Sequence, residues 1–137
     1  MTQSDKDLLL KDLCVRLPYG VKIAMPGLWD SKITIEPLDE IFKGDDGLFR
    51  VNGNGHCIEY IKPYLFPMSN MTEEQKQEYT YIVNCISPDD TDNWKEGEFI
   101  YVEQFSQLMH FYLINHLDYM GLIPMGLAED ATGKNIY

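Results

Sequence analysis

The stretch that most constrains this chain is Val102 to Gly121, VEQFSQLMHFYLINHLDYMG, which holds its longest run of apolar residues at helical spacing. Phe105, Leu108, Met109, Tyr112, Leu113, His116, Leu117 and Met120 recur three and four positions apart, which places them on one face of a helix. Phe111 and Ile114 widen that face, and a helix apolar over so much of its circumference is expected to be covered on more than one side. The spacing therefore predicts a central helix over Val102–Met120, with Gly121 as its stop and Pro124 forbidding continuation.

A chain of 137 residues is long enough to bury a core without metal or disulfide staples, and it reads as one domain over 1–137. The three cysteines, Cys14, Cys57 and Cys85, are far apart, and each sits inside an apolar pattern. Buried, reduced thiols are the reading, which favours a cytoplasmic setting. The first residues are polar and no segment approaches the roughly 20 apolar residues of a membrane span, so neither a leader nor an anchor is expected.

Ser4 can cap a first helix that carries Asp5 and Asp7 in its first turn and a stripe of Leu9, Leu10, Leu13, Cys14 and Leu17, ended by Pro18. The period then changes to two: Val21, Ile23 and Met25 form one strand, and Ile33 and Ile35 another that ends near Pro37. Leu38–Lys43 and Leu48–Val51 flank Gly44-Asp45-Asp46-Gly47 as a hairpin, and His56–Ile61 resumes strand character after the Asn52–Gly55 turn. Thr72 and Gln75 have capping-box spacing behind Met71, so a second helix starts there and carries Tyr79, Ile82, Val83 and Ile86. The tail from Ala128 to Tyr137 reads as loose.

Helix first, then strands in a run, then two helices is the order of an α+β fold. The expectation is an N-terminal helix, about five short antiparallel strands forming a bent sheet or small barrel, and two further helices, the last of them central.

Three stretches carry a resemblance: Asp7–Lys22 (DLLLKDLCVRLPYGVK), Ile61–Thr72 (IKPYLFPMSNMT), and Asn115–Leu127 with its Leu-Asp-Tyr-Met-Gly-Leu-Ile core. In them the chain resembles a family of short proteins of gut anaerobic bacteria and their phages, to which no activity is attached. The resemblance implies a mobile-element context and no functional residue.

Candidate chemistry is sparse. His110 and His116 lie six apart, so on a helix they diverge by roughly 120° and cannot share a metal as residues four apart can. His116 reads as a hydrogen-bonded core residue and His110 as exposed. His56 and Cys57 are neighbours in a strand and face opposite ways, which separates a nucleophile from its base. No CxxC or HxxxH pair offers zinc two ligands from one segment. Asp90 and Asp92 alternate like the start of a calcium loop, but Lys95 stands where the loop needs Gly and Tyr101 where it needs Glu. The glycine runs at 44–47 and 52–55 lack the Lys-Ser/Thr of a phosphate loop and read as turns. No catalytic, cofactor or metal residue is therefore assigned.

Charge is more informative. Residues 1–62 hold eight basic and ten acidic side chains, whereas 63–137 hold three basic and twelve acidic, so most of the net charge of -11 lies in the second half. Such a field repels phosphate backbones and argues against direct nucleic-acid binding. Asp89, Asp90, Asp92 and Glu96 surround Trp94, an arrangement in which carboxylates steer and an indole anchors. The leading expectation is a non-enzymatic cytoplasmic interaction protein binding a basic protein surface through these five residues. The alternative is a small-ligand or nucleotide-binding module on the bent sheet, and a thiol hydrolase using Cys57 ranks last.

Overall fold

The computed structural model describes residues 1–27, 32–53, 56–85 and 94–137. Helix α1 spans Gln3–Arg16 and is followed by a single tight turn at Leu17–Tyr19. Its cap is Thr2 rather than Ser4: the Thr2 hydroxyl accepts from the Asp5 N–H at 3.1 Å, and the Asp5 carboxylate accepts from the Thr2 N–H at 3.3 Å. That reciprocal pair satisfies amides that the first turn leaves open.

Seven strands follow among the described residues, in two sheets. The larger sheet runs β2 (Ile33–Pro37), β1 (Lys22–Pro26), β6 (Lys62–Leu65) and β7 (Glu129–Asp130). The smaller is the meander β3 (Ile41–Lys43), β4 (Phe49–Val51) and β5 (His56–Cys57). The predicted hairpin at Gly44–Gly47 joins β3 to β4, with Asp46 accepting from the Leu48 N–H and from both ends of the Arg50 guanidinium. The fold is α+β as expected, but among the described residues the strands divide between two sheets and close no barrel. Nor is all of the pairing antiparallel, because β6 and β7 run in the same direction.

Both sheets share one core. Leu9 and Leu13 of α1, Val21, Ile23 and Met25 around β1, Val51 of β4, Ile61 and Leu65 around β6, and Leu122 and Leu127 from the last segment pack together almost without solvent contact. The tail expected to be loose is built into this sheet: β7 pairs with β6, and the Ala131 N–H donates to the Leu65 carbonyl at 2.8 Å. The side chain of Tyr137 donates its hydroxyl hydrogen to the Tyr64 carbonyl at 2.6 Å and accepts from the Lys22 N–H at 2.8 Å.

Helix α2 spans Glu73–Cys85 and α3 spans Trp94–Ile114, and among the described residues no helix is long and apolar enough to cross a membrane. The expected central helix is thus displaced in register and in place. Phe111, Leu113 and Leu117 are buried, whereas Phe105 and Ile114 are exposed and Met120, six residues past the helix end, is half in solvent. The reason is that α1 and the segment after α3 already fill the face of the sheet. The end of α3 packs instead in a separate cluster with Tyr79 and Ile82 of α2 and with Phe66, Met68 and Met71, while Phe105, farther from that end, is exposed.

The end of α3 is set by His116, not Gly121. The Leu117 N–H donates to the Tyr112 carbonyl at 2.9 Å and the His116 N–H to the Leu113 carbonyl at 3.2 Å, with His116 in the left-handed region at φ 54°. This is the Schellman pattern, completed by apolar packing of Leu117 against Phe111 and Tyr112. Glycine commonly takes the left-handed place, so a histidine there leaves no mark in an apolar periodicity.

Candidate interaction surface

Helices α2 and α3 form an antiparallel hairpin whose register can be read from its contacts. Gln75 Nε2 donates to Asn115 Oδ1 at 3.1 Å, the ring of Tyr79 lies 6.3 Å from that of Phe111 and 6.4 Å from that of Tyr112, and Ile82 packs with Phe111. The hairpin starts where the sequence places it: the Thr72 N–H donates to Gln75 Oε1 at 2.9 Å and the Gln75 N–H donates to Thr72 Oγ1 at 3.1 Å. Gln75 therefore both caps α2 and ties it to the end of α3.

At the base, the hairpin is bolted to the body by a buried polar cluster that sequence reading missed. Asp12 and Arg16 are four apart on α1 and fully buried, with Arg16 Nε donating to Asp12 Oδ2 at 2.8 Å. Arg16 Nη2 donates to the Leu117 carbonyl at 2.7 Å, and the guanidinium lies 5.3 Å from the centre of the Tyr119 ring. Tyr119 in turn stacks on Tyr112 of α3 at 5.1 Å. Burial pushes the Asp12 carboxyl and the Tyr119 phenol up from their ordinary values, in Asp12 against the pull of Arg16. The adjacent Asp118 accepts from the Leu122 N–H at 2.7 Å and the Ile123 N–H at 2.9 Å, closing the turn that follows. The available signal was the (i, i+4) pairing of Asp12 and Arg16 within an otherwise apolar stripe.

His116 sits beside this cluster. Its ring stacks on Tyr137 at 3.7 Å between centroids, and its Nδ1 is buried with no hydrogen-bond partner among the described residues. It is thus a stacked residue, not the hydrogen-bonded one expected. Burial, with the Arg16 charge nearby, pulls its imidazolium down to about 4, and burial pushes the Tyr137 phenol up to about 12.

Outside this base, α2 is largely solvated. Glu73, Glu74, Lys76, Gln77, Glu78 and Thr80 are exposed, Tyr81 is 70% exposed, and Val83 is also exposed. On α3, Glu103 is exposed and Phe105 is 61% exposed. A shallow open groove on α2 is lined by Glu73, Lys76, Gln77, Thr80 and Tyr81. Between residues 73 and 114 the chain carries nine acidic and two basic side chains.

Of the five residues singled out by sequence, Asp89, Asp90 and Asp92 lie outside the described residues. Trp94 and Glu96 fall in the first turn of α3, with their side chains outside the described set. Tyr81 carries no sequence signal of its own, and Val83 and Phe105 match an inward-facing helical stripe as well as an outward one. His110 is exposed as expected, within 3.1 Å of the Tyr19 hydroxyl through Nδ1. His56 and Cys57 are both half-buried on β5. Cys14 is exposed, contrary to the expected burial, and both Cys14 and Cys57 are free thiols. Cys14 lies outside the core because Leu9 and Leu13, with Asp12 and Arg16, hold the inner face of α1. Among the described residues no three His, Cys, Asp or Glu side chains converge as a metal site. Set against family models, curated proteins and solved structures, the chain matches none.

Proposed function

We propose that this protein is a non-enzymatic interaction protein of a bacterial or phage cytoplasm whose α2–α3 hairpin docks on a basic surface of another protein. The observation that carries the reading is the exposure of Tyr81 and Phe105 on the most acidic part of the chain. Exposed aromatic rings are costly to leave in water and are the side chains on which interfaces anchor. Carboxylates around them raise the rate of encounter with a cationic surface and are screened by salt. The sequence adds Trp94 as a further anchor, with Asp89, Asp90, Asp92 and Glu96 as steering charges. A partner that normally holds nucleic acid has the complementary chemistry, since it must carry clustered Lys and Arg.

The test is affinity capture with the full chain from the cell that makes it. Wild type is expected to retain a protein with a basic surface, released between about 0.05 and 0.5 M salt as the screening length falls. The Tyr81→Ala/Phe105→Ala variant is expected to lose it. Recovery of a bound nucleotide or other small molecule in place of a protein would overturn the reading in favour of a ligand-binding module.

A further inference from the structure

The large sheet ends in a strand whose outer edge matches itself. β2 is its terminal strand, and no described residue pairs with its outer side. Against β1, Met25 stands opposite Thr34 and Ile23 opposite Glu36, while the Gly27 N–H donates to the Lys32 carbonyl at 2.8 Å and the Leu38 N–H to the Val21 carbonyl at 2.9 Å. In an antiparallel ladder, residues whose amides bond one neighbour alternate with residues whose amides point the other way. Lys32, Thr34 and Glu36 therefore turn their backbone groups toward β1. Ile33 and Ile35 turn theirs outward, and their side chains are 62% and 45% exposed. Ile35 stands opposite Ala24, so both isoleucines lie on the sheet face away from Ile23 and Met25 and the main core.

We propose that β2 pairs antiparallel with β2 of a second copy of this chain, about a two-fold axis through Thr34. Three features of the edge fit this register. It sets Ile33 of each copy against Ile35 of the other, and these are the residues whose N–H and C=O groups point outward, so each pair exchanges both ladder bonds. It brings the exposed isoleucines of the two copies together on one face. On the opposite face it sets Lys32 of each copy against Glu36 of the other, so the charges complement each other twice. Lys32 also makes a contact within its own chain, and the pairing needs only its charge at that register position.

Neighbouring registers fit less well. An axis through Ile35 sets Ile33 against Pro37, which has no N–H to give. An axis through Ile33 sets Lys32 against Thr34 and loses both ion pairs.

The position of the edge also suits like-charged chains. β2 belongs to residues 1–62, which are close to neutral, and the acidic hairpin joins the sheet two strands away, where Phe66 bridges to Leu117. Two copies meeting at β2 approach through their least charged region. A strand this short buries less than the roughly 1,200 Å² of a standard interface, so the association is weak and depends on concentration.

Sedimentation of the full chain tests this. The average mass is expected to rise toward twofold as concentration is raised about a hundredfold, with exchange of the Ile33 and Ile35 amides slowing in step. Lys32→Glu and Glu36→Lys, each turning both cross-strand pairs repulsive, are expected to weaken association about tenfold. Mixing the two variants should restore it, because every Glu of one then faces a Lys of the other. Ile35→Pro removes an outward N–H without touching the β1 ladder and should also leave single chains. Single chains at every wild-type concentration, association indifferent to the charge changes, or a mixture no better than its components would each overturn the proposal.

Discussion

Arg16 of α1 donates a hydrogen bond from Nη2 to the backbone carbonyl of Leu117 at 2.7 Å, joining residues 101 positions apart in the chain. The same guanidinium holds Asp12, and both side chains are fully buried. Charges taken out of water are tolerated only when each keeps its partners, so the cluster is sensitive to the loss of either. Arg16→Met is expected to destabilise by about 3–5 kcal/mol because it strands the Asp12 carboxylate. Asp12→Leu/Arg16→Met should recover much of that loss, and urea unfolding of the three proteins measures it. Equal loss in the single and double variants would show that the pair matters only by filling space.

Stability should fall as pH drops from about 6.5 toward 4. His116 has a folded value near 4 against an ordinary 6.5, so between these values the unfolded chain binds the proton that the folded chain refuses. The stabilisation is present above the unfolded value and lost on acidification, on the order of 3 kcal/mol before allowance for its partial solvent contact and less after it. Asp12 opposes it, since its raised value favours proton uptake by the folded state. His116→Asn keeps a residue that tolerates the left-handed backbone and removes the titration. The difference in melting temperature between pH 7 and pH 5 should be smaller in that variant than in wild type.

Tyr137→Phe is expected to cost about 1–3 kcal/mol although it removes one atom of the last residue. The lost hydroxyl leaves the Tyr64 carbonyl and the Lys22 N–H without their partner. Thermal unfolding of the full chain reads this directly, and an unchanged melting temperature would mean that the tail is not docked in solution.

Two positions on α3, Leu113 near its end and Phe105 nearer its start, should respond differently to substitution. Leu113→Asp places a charge where the wild-type side chain is buried and is expected to cost several kcal/mol, whereas Phe105→Ala should change stability by less than about 0.5 kcal/mol. Parallel urea titrations of both variants check this.

Much of the architecture was legible in local signals. The Thr72–Gln75 capping box, the Gly44–Gly47 turn and the period-two run at Val21–Met25 each rest on a physical preference that neighbours do not alter, and each stands where expected. What periodicity does not carry is which face of an element meets the core. Ile33 and Ile35 alternate as a strand should, yet that face of β2 is solvated because the main core lies on the other side of β1. α3 shows the same limit, since a wide apolar stripe is equally the mark of a central helix and of an outer one that leaves a ring such as Phe105 exposed. The buried Asp12–Arg16 pair was hidden because charged residues are ordinarily assigned to solvent. Of the candidate surface, charge was legible, but the exposure of Tyr81 and Phe105 depends on which side α2 covers, and that is a tertiary fact.

The most direct test of the interaction reading is quantitative capture by wild type and by Tyr81→Ala/Phe105→Ala, with melting curves confirming that both fold alike. The expected result is a basic protein held by wild type at about 0.05 M salt, shed by about 0.5 M, and not held by the variant. Equal recovery by the two proteins, insensitive to salt, would contradict the assignment of the α2–α3 hairpin as the docking surface.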